Sequence, residues 1–185
     1  MHDLLRFALP AAAAVTLTAG VASAQTFTVP LDSLQTNPGA NFDPGQTLPT
    51  GNAVLTLDTD AMTFSWDIDY QDLTGPIVAP GAHVHSAETF GGNGPTVVDL
   101  VGDTPSGVDP IGGIVPNGQP ATGNLTGTAN IDQMFIDGLL GGNYYVNFHT
   151  EQNGPGELRG QIVVPEPASL GLLGAAGTLL IRRRR

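Results

Sequence analysis

From residue 63 to residue 70 the chain alternates without a break. Phe64, Trp66, Ile68 and Tyr70 fall on one side, and Ser65, Asp67 and Asp69 on the other. A period of two predicts a strand with one buried and one solvated face. Residues 51–58 repeat the pattern, and shorter extended runs are read at 26–29, around 83–85, and at 96–101, 122–128, 144–149 and 158–164. In the run 144–149, Tyr144, Val146 and Phe148 share one face while Tyr145, Asn147 and His149 share the other. Asn153-Gly154-Pro155-Gly156 supplies a tight turn before the next run, and Asp60-Ala61-Met62 reads as a hairpin loop. The Pro- and Gly-rich stretches 37–50 and 102–120 read as loops, the second with a short extended piece. Residues 131–140 are the one helical segment expected. Ile131, Met134 and Phe135 are spaced i, i+3, i+4, Asn130 is placed to cap the start, and Gly141-Gly142 ends it. About eight short strands and one short helix predict an all-β fold, an antiparallel Greek-key β-sandwich or flattened barrel.

The two ends change that picture. Arg6 precedes an apolar run, residues 7–21, followed by Ala22-Ser23-Ala24 with small residues at −3 and −1. This is the pattern of a secretory signal peptide, removed after residue 24. At the other end Pro165-Glu166-Pro167 leads into fourteen uncharged residues, 168–181, and then Arg182, Arg183, Arg184 and Arg185. Fourteen residues of helix cover ~21 Å, short of a ~30 Å hydrocarbon core, so a transient passage of the inner membrane is expected rather than a durable anchor. Between the ends lies one domain, residues 25–164, with no internal repeat.

Charge and composition narrow the function classes. The domain keeps fifteen acidic residues against one cation, Arg159, a net charge near −14. Such a surface repels nucleic acid and anionic lipid. There is no cysteine, so disulfides, thiolate metal sites and a cysteine nucleophile are excluded. No G-x-S-x-G motif occurs, and Ser86 and His85 are strand neighbours whose side chains point apart. A non-enzymatic role is therefore expected.

The candidate chemistry lies in the histidines of the domain, His83, His85 and His149. His83 and His85 are two apart on an extended run and share a face; should the strand carrying His149 lie beside them, three imidazoles meet. Three nitrogen donors with a water can hold copper or zinc. Arg159, with five donors, is expected to tie acceptors of a turn or a carboxylate such as Glu151, and Glu157 to pair with Arg159 on one strand face. The pairs Asp67/Asp69 and Asp58/Asp60 lack the pattern of a calcium loop and read as solvated.

Two motif sets carry resemblances. Gly81-Ala-His-Val-His85, Gly92-Asn-Gly-Pro95, the run from Gly142 through Asn147 to Thr150, and Gly156-Glu157-Leu-Arg159-Gly-Gln161 follow one another as in the CHRD domain, which this chain resembles over roughly residues 50–164. The tail resembles a PEP-CTERM sorting signal. That likeness implies processing by an exosortase near Pro165-Glu166-Pro167 and delivery to the surface or extracellular matrix of a Gram-negative bacterium. The His83-Val-His85 strand is also similar to the copper-binding HVH of Cu/Zn superoxide dismutase, although the further histidines and the disulfide of that enzyme are missing here. Together these imply an exported protein with a binding or structural role in the matrix, its partner a protein or polysaccharide. The alternative is an exported copper- or zinc-binding protein using His83, His85 and His149.

Overall fold

The computed structural model describes residues 24–164, apart from 88, 90, 104 and 105. All but the last residue of the expected signal peptide, and the whole of the sorting tail, lie outside them. The chain runs β1 (Ala24–Asp32), β2 (Thr50–Asp58), β3 (Thr63–Gln71), β4 (Ile77–Ser86), β5 (Thr96–Val101), β6 (Gly123–Asn130), α1 (Gln133–Leu140), β7 (Tyr144–Thr150) and β8 (Leu158–Gln161). The strands form one antiparallel sheet in the order β5-β4-β7-β8-β1-β2-β3-β6. Strand β7 lies beside β4, and β6 beside β3, so two connections cross over, as a Greek key requires.

Alternation decides what faces inward. Phe27, Val29 and Leu31 of β1, Ala53, Leu55 and Leu57 of β2, and Phe64, Trp66, Ile68 and Tyr70 of β3 are all buried. The register sets them side by side: Phe27 faces Leu55, which faces Trp66, which faces Gly127. Glycine at 127 makes room for the indole, since a Cβ there would lie 2.6 Å from Trp66 Cε2. Asp67 and Asp69 point outward, both accepting from the Asn124 amide. On β4 and β7, Ala82, Val84, Val146 and Phe148 complete the interior. The sheet curls on itself into a nearly closed barrel.

The stretch 107–111, within the 102–120 segment read from sequence as a loop with a short extended piece, takes part in that near-closure. Val108 bridges to β5, exchanging backbone bonds with Val97 and Asp99, and Ile111 N donates to Thr128 O of β6. The segment thus stitches together the two edge strands, whose backbone groups would otherwise be open to other chains. The helix is shorter than expected. Its N-cap is Asp132, whose carboxylate accepts from Phe135 N, while Asn130 ends β6. Met134 is exposed, and Phe135, Ile136 and Leu139 form the buried face. Phe135 packs with ring centroids 5.1 Å from Phe64, tilted, and 5.2 Å from Tyr144, edge-on, so α1 closes the end of the barrel where β6 stops and β7 starts.

Strands β8 and β1 are close enough that one methyl group matters. A Cβ at Gly160 would sit 2.7 Å from Pro30 O and 2.8 Å from Val29 Cγ1, and would clash with Leu31 Cδ2. Gly160→Ala is expected to cost about 1–3 kcal/mol as overpacking, seen as a lowered urea midpoint. A midpoint equal to wild type would show that this contact yields freely.

Candidate metal centre

The outer face of β4, β7 and β8 is polar and follows directly from strand register. His83 on β4 faces Asp99 on β5 and Asn147 on β7; Asn147 faces Arg159 on β8, which faces Asp32 on β1. The next row runs Thr96, His85, Tyr145, Gln161. His149 lies two residues beyond Asn147 on the same face. The structure therefore brings His83, His85 and His149 together, with ring centroids 5.4, 5.6 and 6.0 Å apart.

This face is not solvated. Every residue of β7 is buried, and His83 and His149 are 2% and 5% exposed. Loops cover it, each fixing a ring or its neighbour. Gly94 O lies 3.0 Å from His85 Nδ1 and Gly154 O lies 2.6 Å from His149 Nδ1. A carbonyl only accepts, so both rings carry their proton on Nδ1 and leave an Nε2 lone pair. His83 is turned the other way: its Nε2 faces Asp99 Oδ1 at 3.6 Å. Asp99 is itself buried and held by Ser106 N, Ser106 Oγ and Gly107 N. The result is that His83 Nδ1 and His85 Nε2 are sealed from solvent without a hydrogen-bond partner. His149 Nε2 accepts from Asn147 Nδ2 at 3.3 Å, a bond that an entering ion would displace.

One ligand nitrogen from each of the three rings lies within 4.8 Å of the others. Nitrogens held ~2.0–2.1 Å from one ion are about 3.4 Å apart, so the widest pair would close by about 1.4 Å at most on binding. Burial lowers His83 to a pKa of about 4, and the His149 ring adds to that, while Asp99 and the Pro80 carbonyl oppose it. Burial likewise lowers His85 to about 4, with Gly94 O opposing. His149 is lowered by burial too, against the pull of Gly154 O. All three imidazoles are thus neutral near pH 7, the form that ligates metal.

Arg159, 1% exposed, does not reach Glu151. It donates to Gly92 O (2.7 Å), Asn93 Oδ1 (3.0 Å) and Gln161 Oε1 (3.3 Å), and its guanidinium lies 3.6 Å above the Tyr145 ring. Tyr145 in turn stacks on His85 at 5.0 Å, and its hydroxyl accepts from Gly94 N. Arg159 therefore latches the 91–94 loop, and that loop aims His85. Gln161 adds a bond, accepting from Gly91 N while donating to Tyr144 O. Glu157 does not pair with Arg159. Fully buried, it accepts from Thr74 N (2.6 Å), the Thr74 hydroxyl and the Thr150 hydroxyl, pinning the segment before β4 to β7. Asn147 Nδ2 donates to Pro155 O, so this amide holds the 153–156 turn against the site.

Sequence reasoning passed over Asp99, Tyr145 and the carbonyls of Gly94 and Gly154. Asp99 carried a signal, a lone carboxylate in the apolar run 97–101. The carbonyls carried none.

A family model of the CHRD domain matches residues 27–162, and one of the PEP-CTERM protein-sorting motif matches residues 163–185. No curated protein and no solved structure matches the chain.

Proposed function

Because the chain belongs to the CHRD-domain family and ends in the PEP-CTERM motif of exported, exosortase-processed surface proteins, we propose that it is a surface metal-binding protein. Its ligands are His83, His85 and His149, and its ion is copper or zinc. One observation carries this reading: two buried ring nitrogens of the same cluster, His83 Nδ1 and His85 Nε2, have no partner. A buried polar atom left unpaired costs about 1–3 kcal/mol, and a purely structural role offers no return for two of them on neighbouring rings. An ion in their midst satisfies both. The surrounding contacts have the arrangement that metal-binding histidines require, each distal nitrogen facing a carbonyl or a carboxylate. When bound, the ion would supply Lewis acidity or, for copper, electron transfer. The chain's own part is to hold three neutral imidazoles in place and keep bulk water from them.

Metal analysis of the purified protein, loaded separately with copper and with zinc and then desalted, tests the reading. About one ion per chain is expected for wild type, and near zero for His85→Ala and His149→Ala with the fold retained by circular dichroism. Stoichiometry near zero in wild type, or unchanged in both variants, would refute it. The matrix role expected from the sorting tail is compatible with such a centre.

A further inference from the structure

We infer that Asn147 is the fourth ligand of this centre, its side-chain oxygen completing the shell begun by the three rings; the inference rests on the three-histidine reading above. Register is the first support. Asn147 lies directly across from His83, diagonal to His85, whose own partner is Tyr145, and two residues along β7 from His149. Of the side chains that β7 presents on this face, it alone neighbours all three ring positions. Burial is the second. Asn147 is 5% exposed, and its Oδ1 is sealed without a hydrogen-bond partner, the same condition as His83 Nδ1 and His85 Nε2. An amide oxygen only accepts, so a donor or a cation must satisfy it.

Distance is the third support. Asn147 Nδ2 stands 3.3 Å from His149 Nε2. Two ligand atoms held ~2.0–2.1 Å from one ion at tetrahedral angles are about 3.4 Å apart, so the amide already occupies a vertex of the shell, with its nitrogen end. An N–H group repels a cation, whereas the carbonyl oxygen attracts it. The two ends of a carboxamide are nearly alike in shape, so a half-turn about Cβ–Cγ exchanges them with little change of volume. That turn gives up the bonds from Nδ2 to Pro155 O and to His149 Nε2, and the second is lost in any case once an ion takes that lone pair. Gly156 keeps the place of the amide open, since a Cβ there would lie 2.7 Å from Asn147 Nδ2 and 2.9 Å from its Cγ. Closed zinc sites take four protein ligands, and an amide oxygen serves as a weak ligand in some copper sites.

Zinc(II), which is diamagnetic, is titrated into the metal-free full-length protein, carbon-13 and nitrogen-15 labelled, in mild detergent. As the ring resonances of His83, His85 and His149 move, the side-chain carbonyl carbon of Asn147 is expected to move downfield with them and to stop at one zinc per chain. Moving rings with an unmoved Asn147 carbonyl would overturn the inference and leave the histidine centre standing. Rings that do not move would remove the centre, and this ligand with it. Two variants separate a ligand from a residue that only holds the 153–156 turn, since both lose the donor to Pro155 O. Asn147→Asp keeps an oxygen at the vertex, needs no turn and adds an opposite charge, so zinc(II) is expected to bind at least about tenfold tighter. Asn147→Leu offers no donor atom and is expected to bind at least about tenfold more weakly. Weaker binding in both folded variants would mean that Asn147 serves the turn alone. Should a variant not fold, the wild-type titration decides.

Discussion

Metal-free protein is expected to lose stability steeply as the pH falls from 6.5 to 4. His83 and His85 have their pKa lowered from 6.5 to about 4 in the folded state, chiefly by burial, and His149 is lowered in the same direction. The sign follows from proton counting. Above pH 6.5 neither the folded nor the unfolded chain protonates these rings, and they contribute nothing to the difference. Between 6.5 and 4 the unfolded chain takes up protons that the folded chain refuses, so unfolding is favoured as acid is added. Below about 4 both states are protonated and the loss levels off. At about 1.4 kcal/mol per pH unit, 2.5 units correspond to about 3 kcal/mol for each of the two rings. The two together make about 6 kcal/mol, against a usual total of 5–15 kcal/mol, enough to unfold a protein at the lower end of that range. Urea melts of the metal-free protein at pH 7, 6, 5 and 4 measure it directly. His85→Gln removes one titrating ring, so its melts are expected to depend less on pH by about half of the two-ring effect. A wild-type midpoint constant across this range would show that the rings take protons freely in the folded state. The loaded protein should hold its midpoint to lower pH, since ion and proton compete for the same lone pairs.

The same rings show where sequence reasoning succeeds and where it stops. A period of two told which side chains share a face, and so placed Phe64, Trp66, Ile68 and Tyr70 inside and paired His83 with His85. Period alone does not say what lies over the other face. The alternation in β7 read as one apolar and one polar side, yet both sides are buried, because the chain between β4 and β5 and the turn after β7 fold over the polar one. Those covering segments work largely through backbone atoms, and a carbonyl at Gly94 or Gly154 leaves no mark in the side-chain pattern. Glu157 and Arg159 misled for a related reason. Two residues apart, they suggested an ion pair, whereas Glu157 precedes β8 and finds hydroxyls on β7 and in the segment before β4. The start of β4 was also invisible, since Pro80 and Gly81 interrupt any alternation and the register shifts between Ile77 and Ala82. The short extended piece expected within 102–120 carried no sign of its partners, β5 and β6.

Phe64→Ala is expected to be the most damaging single truncation in the apolar interior. Phe64 is fully buried, faces Leu57 and Ala129 across two strand pairs, and touches the rings of Trp66 at 6.2 Å and Phe135 at 5.1 Å. It is the residue on which α1 rests. Removing a buried phenyl group typically costs about 3–5 kcal/mol, the larger values arising where neighbours cannot collapse into the space. Here Leu57 sits on β2, held by ladders on both sides, and Ala129 on the edge strand β6, held by β3 and by one bridge to Pro110, so the helix is the element freest to shift inward. A loss near 4 kcal/mol, or a thermal midpoint lowered by about 10 °C or more, is therefore expected. The helix should feel it most, so the amides of Ile136 and Leu139 are expected to exchange hydrogen faster in the variant while those of β1 and β2 change less. Metal stoichiometry should stay at one, because the histidines occupy the outer face of β4 and β7 and Phe64 points inward from β3. A loss below 1 kcal/mol with unchanged exchange in α1 would mean that the helix does not close the barrel end, and that the core draws its stability from elsewhere.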